Sequence, residues 1–326
     1  METILSCQFR FLAPSQEPKP ITAIRSRPSK TPARCLPLLA KSKRAAQDSV
    51  NGEDEYGIPA NQVKTLAKFK SRHNHIRVLQ VSRRADHPLA GSRLLLLDRP
   101  GNIHSISFLL HPFTSSYFDV FATLPPLLPP GPIALLGFGA GSAARVLLHI
   151  YPDIEIHGWE IDPSVIAVAR EFFGLEKLEK QHRVNLSVHV GDALDETAGG
   201  ERFAGIFVDL FQKGSLLPEL QDPETWSNLR RSLKKGGRVM ANCGGKCVEA
   251  EDSRRDGETV MQETVKSMRS AFGAAAEDVF VLMLEYGESE GCVAMTGPWP
   301  KDTEKWKLAL PMPLRGYVDR WKPFTG

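Results

Sequence analysis

The feature that most constrains the fold is an apolar run that ends abruptly in three closely spaced glycines. Ile133 to Leu136 is followed by Gly137, Gly139 and Gly141, and the next residues have the composition of a helix. Glycines at such positions let the backbone turn at positive φ and pass close to a ligand. The order of strand, glycine turn and helix therefore predicts a nucleotide-binding loop in an α/β fold.

An acidic residue follows each of three further predicted strands, at the point where the strand ends. Glu160 comes after residues 154–159, Asp192 after 184–190, and Asp209 after 204–208. The carboxyl ends of parallel strands lie at one edge of a sheet, where α/β proteins bind their ligands. The sequence thus predicts that the three carboxylates share one site with the glycine loop, with Glu160 placed to accept hydrogen bonds from a ribose.

The basic charge of the chain belongs to its first residues. Residues 1–47 carry nine Lys and Arg against two Glu, whereas the remainder has a net charge of −4. The segment is rich in Ser and Pro and lacks an apolar core, which is typical of an organelle transit peptide, here a chloroplast one; a disordered basic tail is the alternative. The folded part therefore gives no reason to expect nucleic-acid binding, and no apolar run is long enough to span a membrane.

The chain divides into five predicted segments. Residues 1–47 form the transit peptide, 48–60 a linker, 61–130 a small β unit, 131–300 the nucleotide-binding domain and 301–326 a C-terminal tail. Cys243, Cys247 and Cys292 are an odd number of cysteines in the folded part and have no nearby histidine partners. We interpret Cys243 and Cys247 as reduced thiols, and no metal site is predicted.

Two predicted strands at residues 279–284 and 292–296 close the α/β alternation with a hairpin. A closing hairpin is unlike a dinucleotide dehydrogenase, and the glycine spacing also departs from the dinucleotide fingerprint. The fold class expected is α/β, a Rossmann-like methyltransferase fold with a mostly parallel sheet and an antiparallel edge hairpin, preceded by a small β-hairpin unit.

Taken together, the glycine loop, Glu160-Ile-Asp162, Gly191-Asp192-Ala193 and Val208-Asp209-Leu210 resemble the spermidine synthase family, with thermospermine synthases nearer than the rest. The resemblance covers roughly residues 75–297. It implies the fold of S-adenosylmethionine-dependent methyltransferases and a donor that is S-adenosylmethionine or its decarboxylated form. The partners it implies are this small-molecule donor and an unidentified acceptor; homodimer formation is left open.

The resemblance also implies a role for each matched residue. Gly137, Gly139 and Gly141 would lie under the sulfonium end of the donor, and Glu160 would bind the ribose hydroxyls. The adenine would contact Asp192 and the backbone of Ala193. Asp209 would orient the attacking amine and remove its proton, because a protonated amine has no lone pair for attack.

Several departures from the family pattern concern charge. Ala140 replaces an acidic residue that holds the ammonium of the decarboxylated donor, and Gln212 and Lys213 replace an Asp-Pro pair at the acceptor site. Backbone N–H groups of residues 139–142 could then bind the carboxylate of S-adenosylmethionine. Further acceptor contacts are expected only from hairpin residues, namely Glu285, Glu288 and Glu290.

Three interpretations remain at this stage. The first is a transferase on this scaffold, in which the lost carboxylates favour methyl transfer and the family name favours aminopropyl transfer. The second is a non-catalytic protein that binds a nucleotide, and the third is an NAD-binding oxidoreductase.

Overall fold

The computed structural model describes residues 57–197, 202–252, 254–273, 278–286 and 289–326. The predicted transit peptide, residues 1–47, and most of the predicted linker lie outside the described residues. In the described part of the chain, no helix combines the length and the apolar composition that crossing a membrane requires.

The small unit is a four-stranded antiparallel sheet with the strands in sequence order. Its strands are β1 (Val63–Lys70), β2 (His75–Val81), β3 (Ser92–Leu96) and β4 (Ile103–Phe108). The sequence predicts the last three of these strands. It does not predict β1, because this strand is largely exposed and a bulge between Thr65 and Ala67 interrupts its alternation.

One short helix, α1 (Tyr117–Phe121), connects this sheet to the rest of the fold, and all five of its residues are buried. Its N-cap is Ser116, whose side chain accepts a hydrogen bond from the Phe118 N–H. The carboxylate of Asp119 accepts the backbone N–H groups of Thr114 and Ser115. These bonds fix the loop that leads into the helix, and with it the position of Tyr117.

The large unit contains an eight-stranded sheet with helices between its strands. Its first half contains β5 (Ile133–Leu136), α2 (Ser142–Ile150), β6 (Ile156–Glu160), α3 (Pro163–Phe172), α4 (Leu175–Gln181), β7 (Leu186–Val190), α5 (Ala193–Glu196) and β8 (Phe203–Val208). The second half contains β9 (Phe211–Gln212), β10 (Ser215–Leu216), α6 (Pro223–Arg231), β11 (Leu233–Gly245), α7 (Gly257–Phe272), β12 (Val279–Tyr286), β13 (Ser289–Thr296), α8 (Thr303–Leu308), α9 (Arg315–Val318) and β14 (Lys322–Pro323). The strand order is β14-β12-β13-β11-β8-β5-β6-β7, and β9 and β10 form a separate two-stranded sheet.

Five neighbouring strands of this sheet, β11, β8, β5, β6 and β7, run parallel. The predicted hairpin β12–β13 is present, and β13 lies inside the sheet, antiparallel to both β11 and β12. The strand β14 then covers the outer edge of β12. This is an α/β fold with a mostly parallel sheet, as the sequence predicts.

Alternate residues of the central strands enter two different hydrophobic cores. In β5, Ile133 and Leu135 belong to a core shared with the small unit, α2 and α3, whereas Ala134 and Leu136 belong to a core under α6 and α7. Both faces of the strand are buried, which is why its sequence is an unbroken apolar run. The cores hold the carboxyl ends of the strands at one edge.

Residues 301–326, which the sequence analysis assigns to a tail, are packed against the fold. Trp306 is buried, and its indole N–H donates to the Thr123 carbonyl at 2.7 Å. Together with β14, this contact makes the segment part of the structural core. The spacing of Trp306, Leu310, Leu314 and Val318, four residues apart, was the available signal for this packing.

Candidate functional site

The glycine loop has the backbone that the sequence predicts. Gly137, Gly139 and Gly141 have φ angles of 86°, 55° and 80°. A Cβ at Gly137 would lie 2.1 Å from the Asp209 carbonyl oxygen, and one at Gly139 would lie 2.6 Å from the Ser105 hydroxyl. The glycines are therefore required both by the turn and by the close approach of neighbouring chain segments.

A cavity of about 560 Å³ opens at the carboxyl ends of the parallel strands. Six of the seven predicted site residues line it, namely Gly137, Gly139, Glu160, Asp192, Ala193 and Asp209. Gly141 lies behind the loop, where it begins α2. The structure thus brings the ends of these strands together at one cavity.

The carboxylate of Glu160 is buried and receives two backbone hydrogen bonds. The N–H groups of Gly139 and Asp162 each donate to one of its oxygens at 3.0 Å. Burial raises the pKa of Glu160 to about 7, the two N–H donors oppose this shift, and the charges of Asp162 and Asp209 add to it. Glu160 therefore changes its protonation state near neutral pH.

Asp162 links the loop around Glu160 to the small unit. Its carboxylate accepts the Ser71 hydroxyl at 2.5 Å, the Asn74 side-chain amide at 2.7 Å and the Ser164 N–H at 2.9 Å, which caps α3. Burial alone would raise its pKa, but the hydrogen bonds hold the pKa below its ordinary value. The turn between β1 and β2 is thereby held at the mouth of the cavity, which His73 and Asn74 line.

Asp192 and Ala193 begin the short helix α5 at the next strand end. The Asp192 side chain is exposed and accepts the Leu194 N–H at 2.9 Å, whereas Ala193 is buried. A second oxygen of Asp192 is left for a ligand, because the capping bond uses only Oδ1.

Asp209 is held from two sides, by residues that the sequence analysis did not identify. The Tyr117 hydroxyl donates to Oδ2 at 2.8 Å, and the Asn242 amide donates to Oδ1 at 2.9 Å. Burial raises the pKa of Asp209 to about 6, and the two donors, with the nearby His104, oppose the shift. Asn242 could have been found as a candidate site residue, because it is a polar residue near the end of the predicted strand 238–243. No comparable indication in the sequence points to Tyr117.

The expectation that backbone N–H groups of residues 139–142 bind a carboxylate is wrong for three of the four. The Gly139 N–H donates to Glu160, the Ala140 N–H donates to the Ser105 hydroxyl at 2.9 Å, and the Gly141 N–H donates to the Phe138 carbonyl. Ala140 is buried in the core and does not line the cavity. Three of the four N–H groups therefore already have acceptors within the protein, one of them supplied by Ser105 of β4.

The charged side chains that line the cavity include acidic residues but no Lys or Arg of the described part of the chain. Five carboxylates line it, from Glu160, Asp192, Asp195, Asp209 and Glu219, whereas no Lys or Arg does so among the described residues. Neither Glu285 nor Glu290 lines it, and Glu288 lies outside the described residues. The cavity is therefore suited to a ligand with positive charge.

Cys243, Cys247 and Cys292 are buried free thiols away from this cavity. Burial raises the pKa of Cys247 to about 12, which leaves it protonated and unreactive. Within the described residues, no group of three or more His, Cys, Asp or Glu is arranged to hold a metal ion.

Three proteins of known class are similar to this chain in sequence. The chain is 26% identical over 165 residues to a probable polyamine aminopropyl transferase of Bifidobacterium longum, which is 50% of this chain and 34% of the relative. It is 32% identical over 118 residues to a polyamine aminopropyltransferase of Vibrio vulnificus, 35% of this chain and 38% of the relative. A third match, 38% identical over 73 residues, is to an eEF1A lysine and N-terminal methyltransferase of Bos taurus, 22% of this chain and 10% of the relative.

The matched region thus spans only about a third of the two polyamine relatives and less of the third. No model of a known protein family matches the chain. Among solved structures, a spermidine synthase in complex with the transition-state analogue AdoDATO superposes with a TM-score of 0.57 at 16% identity, over 74% of this chain and 78% of that one. The resemblance indicated by the motifs is confirmed: the chain is similar in sequence to polyamine aminopropyltransferases and has a spermidine synthase-like, Rossmann-like α/β fold.

Proposed function

We propose that the protein transfers the methyl group of S-adenosylmethionine to a nitrogen atom of an acceptor, with Asp209 as the base. The observation that carries this proposal is the setting of Asp209 in the cavity, oriented by Tyr117 and Asn242 and with a pKa of about 6. A carboxylate with a raised pKa is a better proton acceptor than an ordinary one and is still ionised at neutral pH.

The donor would occupy the half of the cavity that the glycine loop bounds. Glu160 would accept hydrogen bonds from the ribose, and Asp192 and Ala193 would contact the adenine. The five carboxylates that line the cavity would favour a cationic sulfonium.

The chemical step requires a neutral amine. Asp209 would take a proton from the attacking nitrogen, whose lone pair then forms a bond to the methyl carbon. The bond between that carbon and sulfur breaks, its electrons neutralise the sulfonium, and S-adenosylhomocysteine leaves. Tyr117 and Asn242 would hold the Asp209 carboxylate in one orientation, and a remaining lone pair on its oxygens would accept the proton of the acceptor.

The part of the cavity around Asp209 would favour an acceptor with little positive charge. The cavity lining includes uncharged polar side chains, those of Gln212, Thr225, Asn228 and Asn242, beside the carboxylates of Asp209 and the exposed Glu219. A polyamine carries several ammonium groups and needs several carboxylates to offset them. Methyl transfer to a less cationic amine fits this lining better than aminopropyl transfer does.

Aminopropyl transfer is the second candidate. The absence of Lys and Arg from the described cavity lining leaves the carboxylate of S-adenosylmethionine without a cationic partner, which favours the decarboxylated donor. The polyamine relatives support the same candidate.

The by-product of turnover distinguishes the two reactions. The protein is incubated with either donor and a panel of mono-, di- and polyamines, and the nucleosides are separated by chromatography and mass spectrometry. Methyl transfer yields S-adenosylhomocysteine, whereas aminopropyl transfer yields methylthioadenosine. Methylthioadenosine formed only from the decarboxylated donor and a polyamine would overturn the proposal, as would the formation of neither product.

A further inference from the structure

Two histidines lie side by side on the parallel strands β6 and β7, at the edge of the large sheet. The Nδ1 of His157 and the Nε2 of His189 are 3.4 Å apart. The two rings are 6° from parallel, with their centroids 5.6 Å apart. The His157 side chain is 29% exposed and His189 is exposed, so solvent and ions reach the pair.

A carboxylate orients one of the rings. Glu155 lies two residues before His157 on the same side of the strand, and its Oε1 is 3.0 Å from the His157 Nε2. A carboxylate accepts hydrogen bonds, so the proton of the neutral imidazole belongs on Nε2 and the lone pair on Nδ1. The lone pair of His157 therefore faces His189.

We propose that His157 and His189 form a binding site for a divalent transition-metal ion of the Zn²⁺ class. Zn²⁺ binds imidazole nitrogens at about 2.1 Å with tetrahedral angles, which places two such nitrogens about 3.4 Å apart. The pair already has this separation. Glu155 on the far nitrogen of His157 completes the carboxylate–histidine–metal arrangement that raises the basicity of a ligand.

Binding requires one change in the pair. In the hydrogen-bonded pair, the His189 Nε2–H donates to His157, so His189 must move its proton to Nδ1 before Nε2 can ligate. The protein supplies two ligands, and water completes the coordination. A site of this kind is exchangeable, and it is not a structural centre on which folding depends.

Trp159 contacts both the histidine pair and the cavity. It stacks on His189 with ring centroids 4.9 Å apart, and it is one of the residues that line the cavity. An ion that reorients His189 therefore alters the environment of Trp159. Because the chain has five tryptophans, the Trp159 signal is the difference in emission between the unmodified chain and Trp159→Phe, and this difference reports metal binding.

The test is a calorimetric titration of the full chain with Zn²⁺, repeated with Cu²⁺ while tryptophan emission is followed. Saturable binding of one ion is expected, together with quenching by Cu²⁺. His157→Gln and His189→Gln should each abolish both signals, and Glu155→Gln should weaken binding by about tenfold. Since these side chains are at the surface, the variants are expected to fold, which circular dichroism checks.

The matched control is His182→Gln, which removes a histidine outside the pair and should leave Zn²⁺ binding unchanged. Equal Zn²⁺ affinity in the unmodified chain and in both pair variants would overturn the proposal. The absence of Zn²⁺ binding to the unmodified chain would also overturn the proposal, because the two histidines would then only form a hydrogen bond between the strands.

Discussion

Donor binding should strengthen as the pH rises from 6 to 8, because Glu160 must be ionised to accept the ribose hydroxyls well. Burial raises the pKa of this carboxyl to about 7. Its ionised fraction is then about one tenth at pH 6 and nine tenths at pH 8, so the dissociation constant should be about tenfold larger at pH 6, or about 1.4 kcal/mol. Calorimetry with S-adenosylmethionine at pH 6, 7 and 8, in two buffers of different ionisation enthalpy, measures both the affinity and the protons released.

The control for this experiment is Glu160→Gln. Any pH dependence that belongs to the donor's own amino group persists in this variant and can be subtracted. Asp209, with its pKa of about 6, contributes a smaller part, which Asp209→Asn removes. A dissociation constant that is equal at pH 6 and pH 8 after these subtractions, with no proton released, would refute the assigned role of Glu160.

Three further predictions concern stability and processing. Gly137→Ala should prevent folding or lower the free energy of unfolding by well over the about 1–3 kcal/mol of backbone strain alone, because its Cβ would lie 2.1 Å from a backbone oxygen. Gly174 is also at positive φ but has open space around it, so Gly174→Ala should cost only the strain. Equal losses of unfolding free energy for the two variants, measured by urea denaturation, would contradict this. Asp162→Ala removes the cap of α3 and two bonds to the small unit, so its free energy of unfolding should fall by about 2–4 kcal/mol, and an unchanged value would count against the link. We also propose that residues 1–47 are a chloroplast transit peptide, so mass spectrometry of the protein from its native tissue should find a mature N-terminus near residue 48 and not Met1.

The part of the site that the sequence predicts well follows from one topological fact. The carboxyl ends of parallel strands share an edge of the sheet, so the sequence alone predicts that Glu160, Asp192 and Asp209 lie close together. The glycine loop was equally predictable from the sequence, because both a positive φ and a close approach of the backbone require glycine. These predictions needed only local patterns and strand order.

The partners of these residues could not be predicted, since they come from distant parts of the chain. Tyr117 is 92 residues from Asp209 and lies in a helix of only five residues, four of them apolar. Ser105 saturates the Ala140 N–H across 35 residues, which overturned the expected carboxylate site. His157 and His189 are 32 residues apart and meet only because β6 pairs with β7. Register and packing decide such contacts, and neither leaves a local signal.

The central claim is that the cavity binds a sulfonium nucleoside through Glu160 and Asp192. The most direct test is a calorimetric titration of the unmodified protein, Glu160→Ala and Asp192→Ala with S-adenosylmethionine and its decarboxylated form, with NAD as the control ligand. Saturable binding of at least one sulfonium donor and none of NAD is expected, with each variant weakened by about 1.5–3 kcal/mol, the contribution of a hydrogen bond that involves a charge. Failure of both donors to bind, or dissociation constants that neither substitution changes, would contradict the claim.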